Sequence, residues 1–557
     1  MSSSGASFDL STVFHVVATA IPDNRVLIWR DLDLTYAQMD ARIDGIAHYL
    51  TSLGLGCHTE RDQLRGHQSG QDHMGLYLRN GNEYLEAMVA GYRARVAPFN
   101  VNYRYVEEEL LYLLTDSKAR VLVYSAEFAP NVASIRDRLP ELTVLIQVAD
   151  DTGNALLPGA VDYESIVDTP APAGGMPTPR GDDLYILYTG GTTGMPKGVL
   201  WRQHDIFMSA MGGRPFLAAG EELRSYDDLV KQATEQAGFR SLLLIPPLMH
   251  GAAQWGVFNT ISSGGWIALP DNVRHLDADA VLRLAERERV LSLPVVGDAM
   301  ARPLLDLIET GDYDLSGLMG ITNGGAPLSP TVRDRLLTAL PNAFIMDAVG
   351  ASESGAQMTT IATKGAETKA ATFTPLDDTT VVSADFSRVL QPGEGEGWLA
   401  RREFVPLGYL GDAEKTARTF PTIDGVRWSI PGDKARLLAD GQIELLGRDS
   451  VTINSGGEKI FAEEVERAVA SHPAVYDVVV TGRPSERWGN EVVAIVEFAE
   501  GRSATDAELA EACKAHIAHY KIPKAFIRTD KVLRSPAGKA DYRWAKALAA
   551  ESLGAQG

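Results

Sequence analysis

Short apolar, β-branched runs alternate along the chain with segments whose apolar positions recur every three to four residues. Strand-like runs stand at 120–124, 142–148 and 184–188, and helical spacing stands at 106–115, 281–289 and 330–340. Such alternation predicts α/β layers, with repeated crossover units around a parallel-rich sheet. From about residue 393 the pattern changes to short glycine-bounded strands, at 397–400 and 441–446, which predicts a β-rich subdomain over about 393–448. Beyond it a fresh pattern begins, with a helix over 462–471, strands over 476–481 and 491–498, and a helix over 506–520. The expected organisation is a large N-terminal α/β domain, 1–448, a hinge at Asp449 and Ser450, and a small, mobile α+β domain, 451–557. The Pro/Gly-rich tract 170–180 reads as a surface loop and the charged segment 221–240 as an insertion.

At 557 residues the chain is several times the roughly 150 expected of one domain, so more than one core is predicted. Its net charge of −21 excludes a general binder of nucleic acid or anionic membrane, which needs a basic face, so any polyanion must be held locally. Cys57 and Cys513 stand far apart and build neither a disulfide framework nor a cysteine zinc site, which fits a reducing compartment. The start is Ser-rich, and no run of about 18 apolar residues occurs, so neither export nor a transmembrane segment is expected and the location expected is cytoplasmic.

One segment carries the strongest chemical signal, Tyr188-Thr-Gly-Gly-Thr-Thr-Gly-Met-Pro-Lys-Gly198, directly after a strand-like run. Glycines let backbone N–H groups converge on an anion, Thr189, Thr192 and Thr193 add hydroxyl donors, and Lys197 adds a compact charge. The segment therefore reads as a phosphate loop. It is not the Walker form, because Pro196-Lys197-Gly198 stands where that pattern requires Gly-Lys-Ser/Thr.

With that loop, the chain resembles the adenylate-forming superfamily of acyl-CoA synthetases, luciferases and peptide-synthetase adenylation domains. Further stretches match in order: Pro246 to Gly251, Asn323 to Pro327, Gly350 to Ser354, Pro431 to Asp433, Gly447-Arg448, Ser455 to Lys459 and Ser535 to Lys539. The resemblance implies an ATP-dependent ligase that converts a carboxylic acid to an acyl-adenylate and passes the acyl group to coenzyme A, with Mg²⁺ as cofactor. It assigns Thr189, Gly190, Gly191, Thr192, Thr193, Gly194 and Lys197 to the phosphates, and Gly325, Ala326 and Pro327 to an adenine wall. Val349, Gly350 and Ser352 join the nucleotide site, Glu353 holds the metal, Asp433 takes the ribose, and Arg448 reaches ribose or phosphate. Lys539 becomes the lysine that bridges carboxylate and phosphate during adenylation, with Glu353 and Thr189 beside it as catalytic groups.

The acid is expected beside His250, Gly251, Gln254 and Trp255. Coenzyme A is expected along Ser455, Gly456 and Gly457 after the C-terminal domain rotates about Asp449 and Ser450, with Lys521 or Lys524 as candidate partners for its phosphates. The motifs look most like actinobacterial ligases for fatty, sterol side-chain or polycyclic terpenoid acids. Three positions depart from the common pattern: Val349 where relatives place an aromatic residue, Ser450 at the hinge, and Gly190 in place of a frequent serine. Three alternatives stay open: a thioesterification-only enzyme fed by a partner adenylating enzyme, an enzyme that loads a carrier protein, and a luciferase-like oxidative enzyme. A homodimer is also compatible with the resemblance.

Overall fold

A computed structural model describes residues 7–189, 195–215, 221–366, 371–448, 451–455, 458–485, 489–534 and 538–554. A first large sheet starts with parallel strands Arg25–Trp29, Trp266–Ala268, Ser241–Leu243, Ser292–Val295, Gly320–Gly324 and Phe344–Ala351. It then turns antiparallel through Gly355–Ala362 and Thr372–Pro375 into Ile443–Arg448, Asp433–Leu437 and Gly395–Arg402. The glycine-rich region read as β-rich thus extends this sheet, and its strand texture begins at Thr372. The second sheet centres on His73–Tyr77, Ala97–Asn100, Ala119–Ser125 and Leu184–Thr189. Every residue of its two strands His73–Tyr77 and Ala97–Asn100 is buried, as expected of strands covered on both faces.

Local chemistry explains where the helices begin. Thr35 and Gln38 form a reciprocal cap at the start of Tyr36–Ser52, and Glu107, Glu108 and Glu109 place negative charge at the N-terminus of Glu107–Asp116. The segment expected as an insertion folds as the helix Tyr226–Glu235, capped by Ser225, with Leu229 and Ala233 buried. Tyr226 Oη accepts the Asp9 N–H at 3.0 Å, which ties this helix to the start of the chain.

C-terminal residues build a separate core around the sheet Val475–Ser485, Gly489–Phe498 and Ala525–Arg528. The helix expected over 506–520 ends at Lys514. Pro523 steers Ile522 into extended backbone, and Ile517 and Ile522 pack into the core instead of continuing the helix. Among the described residues no helix is long and apolar enough to cross a membrane.

Candidate active site

A cleft of about 2230 Å³ lies where the two large sheets and the C-terminal core meet, lined by Thr189, Lys197, His250, Ala326, Asp433 and Lys539 among others. Thr189 ends one strand and is paired with Lys197 at the start of the next. Positions 190–194, the glycines and threonines between them, lie outside the described residues. Asn100 fixes the approach to this loop: its amide donates to the Tyr188 and Met249 carbonyls at 2.8 and 2.7 Å, and its oxygen accepts the Tyr188 N–H.

The wall formed by Gly325, Ala326 and Pro327 follows the strand Gly320–Gly324, and Gly325 takes φ +82°, which a side chain disfavours. Buried Asn323 staples it, accepting the Gly297 N–H at 2.8 Å and donating to the Ala326 carbonyl at 3.1 Å and Asp347 Oδ1 at 2.7 Å. Val349 and Gly350 line the cleft from the neighbouring strand, with half-buried Val349 packed on a small core around Met358.

Ser352, Glu353 and Ser354 form the turn between two antiparallel strands, braced from three sides. Trp201 Nε1 donates to the Ser352 carbonyl at 2.9 Å, and Tyr409 donates its hydroxyl to Glu353 Oε1 at 2.8 Å. Arg401, only 1% exposed, donates to the Ser354 carbonyl at 2.8 Å and the Ser209 hydroxyl at 2.7 Å while pairing with Asp378 at 2.8 Å. Glu353 is thereby presented half-exposed to the cleft.

Two cations join this face that the sequence did not single out. Lys415 and Arg418, from the helix Ala413–Thr419, line the cleft, and Lys415 Nζ sits 3.9 Å from the centre of the Tyr409 ring. Lys197 Nζ stands 3.5 Å from Asp412 Oδ2, and the Asp412 carboxylate is held below its usual range by the Lys415 N–H and by Lys197. A Gly-Tyr followed by a helix with cations three residues apart is the signal that was available for them.

Asp433 opens the strand Asp433–Leu437, is 8% exposed and lies in register with Arg448. The Arg448 side chain, Asp449, Ser450, Gly456 and Gly457 lie outside the described residues. Ser455 closes a hairpin with Glu458 and is not among the described residues that line the cleft.

His250 caps the helix Gly251–Ser262, with Trp255 half-buried on the same cleft wall. The buried Nε2 of His250 has no hydrogen-bond partner among the described residues, and burial, then the Lys539 and Arg104 charges, lower its pKa to about 4. The imidazole is therefore neutral at neutral pH. Gly251 leaves no room for a side chain, since a Cβ there would lie 2.6 Å from Leu187 Cδ2.

Two residues named from the sequence are not among the described residues that line the cleft. Gln254 is 2% exposed, accepts from Tyr185 at 2.6 Å and donates to Tyr84 at 3.2 Å and the Leu248 carbonyl at 2.8 Å. Lys521 is held by both oxygens of Glu464 at 2.7 Å, so its charge is engaged within the C-terminal core, while Lys524 is exposed.

The C-terminal core closes over the cleft through the loop that carries Lys539. Gly538, at φ +69°, lies so close to the cleft wall at Val296 and Ala326 that a Cβ would meet the Val296 carbonyl oxygen at 2.9 Å and Ala326 Cβ at 3.5 Å. Arg302 over the Tyr476 ring at 4.7 Å fastens the same face.

Comparison with known proteins agrees with this architecture. Residues 14–410 match the AMP-binding enzyme family and residues 464–539 match the AMP-binding enzyme C-terminal domain. The chain is 56% identical to the medium-chain acyl-CoA ligase Mig of Mycobacterium avium, covering 98% of this chain and 99% of that one. It is 39% identical to the 3-oxocholest-4-en-26-oate–CoA ligase of Rhodococcus rhodochrous, over 94% and 93%. Its fold superposes on the anthranilate CoA ligase AuaEII in complex with anthranoyl-AMP, with TM-score 0.81 and 20% identity, covering 98% of each chain. The chain belongs to the AMP-binding enzyme family, among its AMP-forming acyl-CoA ligases.

Proposed function

We propose that this ligase activates a medium-chain fatty acid or a similarly hydrophobic acid in the cytosol, and that Lys539 is its catalytic lysine for adenylation. The observation that carries the reading is the contact of Gly538 with Val296 and Ala326, which delivers Lys539 to the cleft beside His250. In the first step a carboxylate oxygen attacks the α-phosphorus and the bond to the pyrophosphate oxygen breaks. Two anions meet, so cations aimed at the developing charge lower the barrier. Lys539 orients carboxylate and α-phosphate; Lys197, Lys415 and Arg418 take the departing phosphates with the loop from Thr189 to Gly194. Asp433 accepts the ribose hydroxyls, Arg448 supports it, Ser352 donates near the α-phosphate, and Gly325, Ala326, Pro327, Val349 and Gly350 bracket the adenine.

Mg²⁺ fits Glu353. Glu353 offers one hard carboxylate among the several that line the cleft, and the described residues offer no group of three or more His, Cys, Asp or Glu as a protein cage, the pattern of an ion shared with substrate phosphates. Bound there, it would neutralise phosphate charge. In the second step the thiol sulfur attacks the acyl carbonyl and the bond to AMP breaks. We assign that step to a rotated C-terminal domain, hinged at Asp449 and Ser450, that brings Ser455, Gly456 and Gly457 to the pantetheine arm.

The acid lies along His250, Gly251 and Trp255, with neutral His250 as its gate. Similarity to ligases for medium-chain and 3-oxocholest-4-en-26-oate substrates supports a hydrophobic acid. The test is a panel of linear, aryl and polycyclic acids, followed by pyrophosphate release and by acyl-CoA mass. Both products from a hydrophobic acid are expected. Thioester only from supplied acyl-adenylates would contradict the adenylation role.

A further inference from the structure

The cleft continues past its reacting end. The helix Gly251–Ser262 has His250 at its N-cap, and Asn259 lies about 13.5 Å further along the axis at 1.5 Å per residue. Both ends line the same cleft, whose lining also includes the apolar Leu242, Leu244, Phe344 and Met346. At the far end the chemistry changes. Gln232, Gln236, Arg240 and Asn259 line it together.

Among the described residues, no acidic side chain is paired with Arg240. Its side chain donates there to the neutral Asn259 Oδ1, at 3.4 Å, and burial lowers its pKa. In a chain with 73 acidic residues against 52 Lys and Arg, that isolation is informative. Two of the other arginines lining the cleft, Arg214 and Arg302, are held by Asp378 at 3.0 Å and Asp298 at 2.7 Å. A partly desolvated guanidinium faced by amides offers two parallel N–H donors to an oxygen acceptor that the protein does not supply.

We infer that the far end of the cleft recognises a second oxygen-bearing group on the acid, an oxo or carboxylate group at the end opposite the activated carboxyl. The inference rests on the reading of this cleft as the acyl site. Apolar walls measure the length between the two groups, and Arg240, with the amides of Gln232 and Gln236, holds the distal one. Arg240 is exposed at the mouth, so the gain is that of a hydrated charge-assisted contact, enough for selectivity between matched acids.

The experiment compares linear monocarboxylic acids with their ω-oxo and α,ω-dicarboxylic counterparts across chain lengths, reading kcat/KM for acyl-CoA with the full chain. Within one window of lengths the oxygenated acids should exceed the monocarboxylic acid by about fivefold or more, the scale of one partly hydrated ion pair. Arg240→Met should abolish the excess and leave the monocarboxylic acids within about twofold, and Arg240→Lys should keep part of it. A preference for the dicarboxylic acid assigns charge pairing, and a preference for the oxo acid alone assigns neutral hydrogen bonding. No window at any length, or an excess that survives Arg240→Met, would overturn the inference. Turnover of no acid at all would overturn the acyl-site reading and the inference with it.

Discussion

Tyr409 and Glu353 meet across the two large sheets, the phenol donating to Oε1 at 2.8 Å. Tyr409 belongs to the edge strand Gly408–Tyr409, paired with the strand that starts at Lys197, so one residue links the phosphate loop to the proposed metal carboxylate. Tyr409→Phe removes the hydroxyl and keeps the ring under Lys415. We expect the Mg²⁺ concentration for half-maximal pyrophosphate release to rise by about 3- to 10-fold, with a stability loss of only about 1 kcal/mol, the worth of one hydrogen bond. An unchanged Mg²⁺ titration would mean that the phenol does not position Glu353.

Gly538→Ala tests the closing contact. A side chain at φ +69° is strained, and its Cβ falls 2.9 Å from the Val296 oxygen, so the Lys539 loop must withdraw. Pyrophosphate release should fall at least about tenfold, more than 1.4 kcal/mol of transition-state stabilisation. Thioester formation from supplied acyl-adenylate should persist, and equal loss of both would show a general folding defect.

Arg401→Met addresses the brace behind Glu353. It leaves the Asp378 carboxylate, which is 3% exposed, with Arg214 at 3.0 Å as its remaining ion-pair partner, and takes the guanidinium donor from the Ser354 carbonyl. A buried charge left wholly unpaired costs about 3–5 kcal/mol; with the Arg214 pair retained the loss should fall below that range and appear as a lowered denaturant midpoint with unchanged slope.

His250 sets a pH dependence. Its folded pKa, lowered to about 4 chiefly by burial, lies below the ordinary 6.5, so between these values the unfolded chain binds the extra proton. Its contribution to stability therefore falls as pH drops from about 6.5 toward 4 and is constant above that window, by up to about 3 kcal/mol at 1.36 kcal/mol per unit. The difference in unfolding free energy between the wild type and His250→Gln should carry this slope. A pH-independent difference would contradict a buried neutral imidazole.

Much of the site was legible because ligand chemistry restricts residue type. The Gly/Thr/Lys loop, Glu353, Asp433 and Lys539 stand in short contiguous motifs, and the structure gathers the described ones around one cleft. Arg401, Asp378 and Tyr409 were not legible, because each acts through partners far away in sequence. That Gln254 turns to the core was not legible, because a helix face next to His250 can turn to the cleft or to the core and only packing against Tyr84 and Tyr185 decides. The helix ending at Lys514 was overextended because its apolar spacing continues into Ile517, which serves the core from a turn.

The central claim is that Lys539, carried by a separate core, performs adenylation and then leaves. Its most direct test is Lys539→Ala, assayed for pyrophosphate release from acid and ATP, and separately for thioester from supplied acyl-adenylate and coenzyme A. We predict that pyrophosphate release falls by about 10²–10³, the cost of one charge-stabilising donor, while the thioester step is retained. Pyrophosphate release at the wild-type rate would contradict the account.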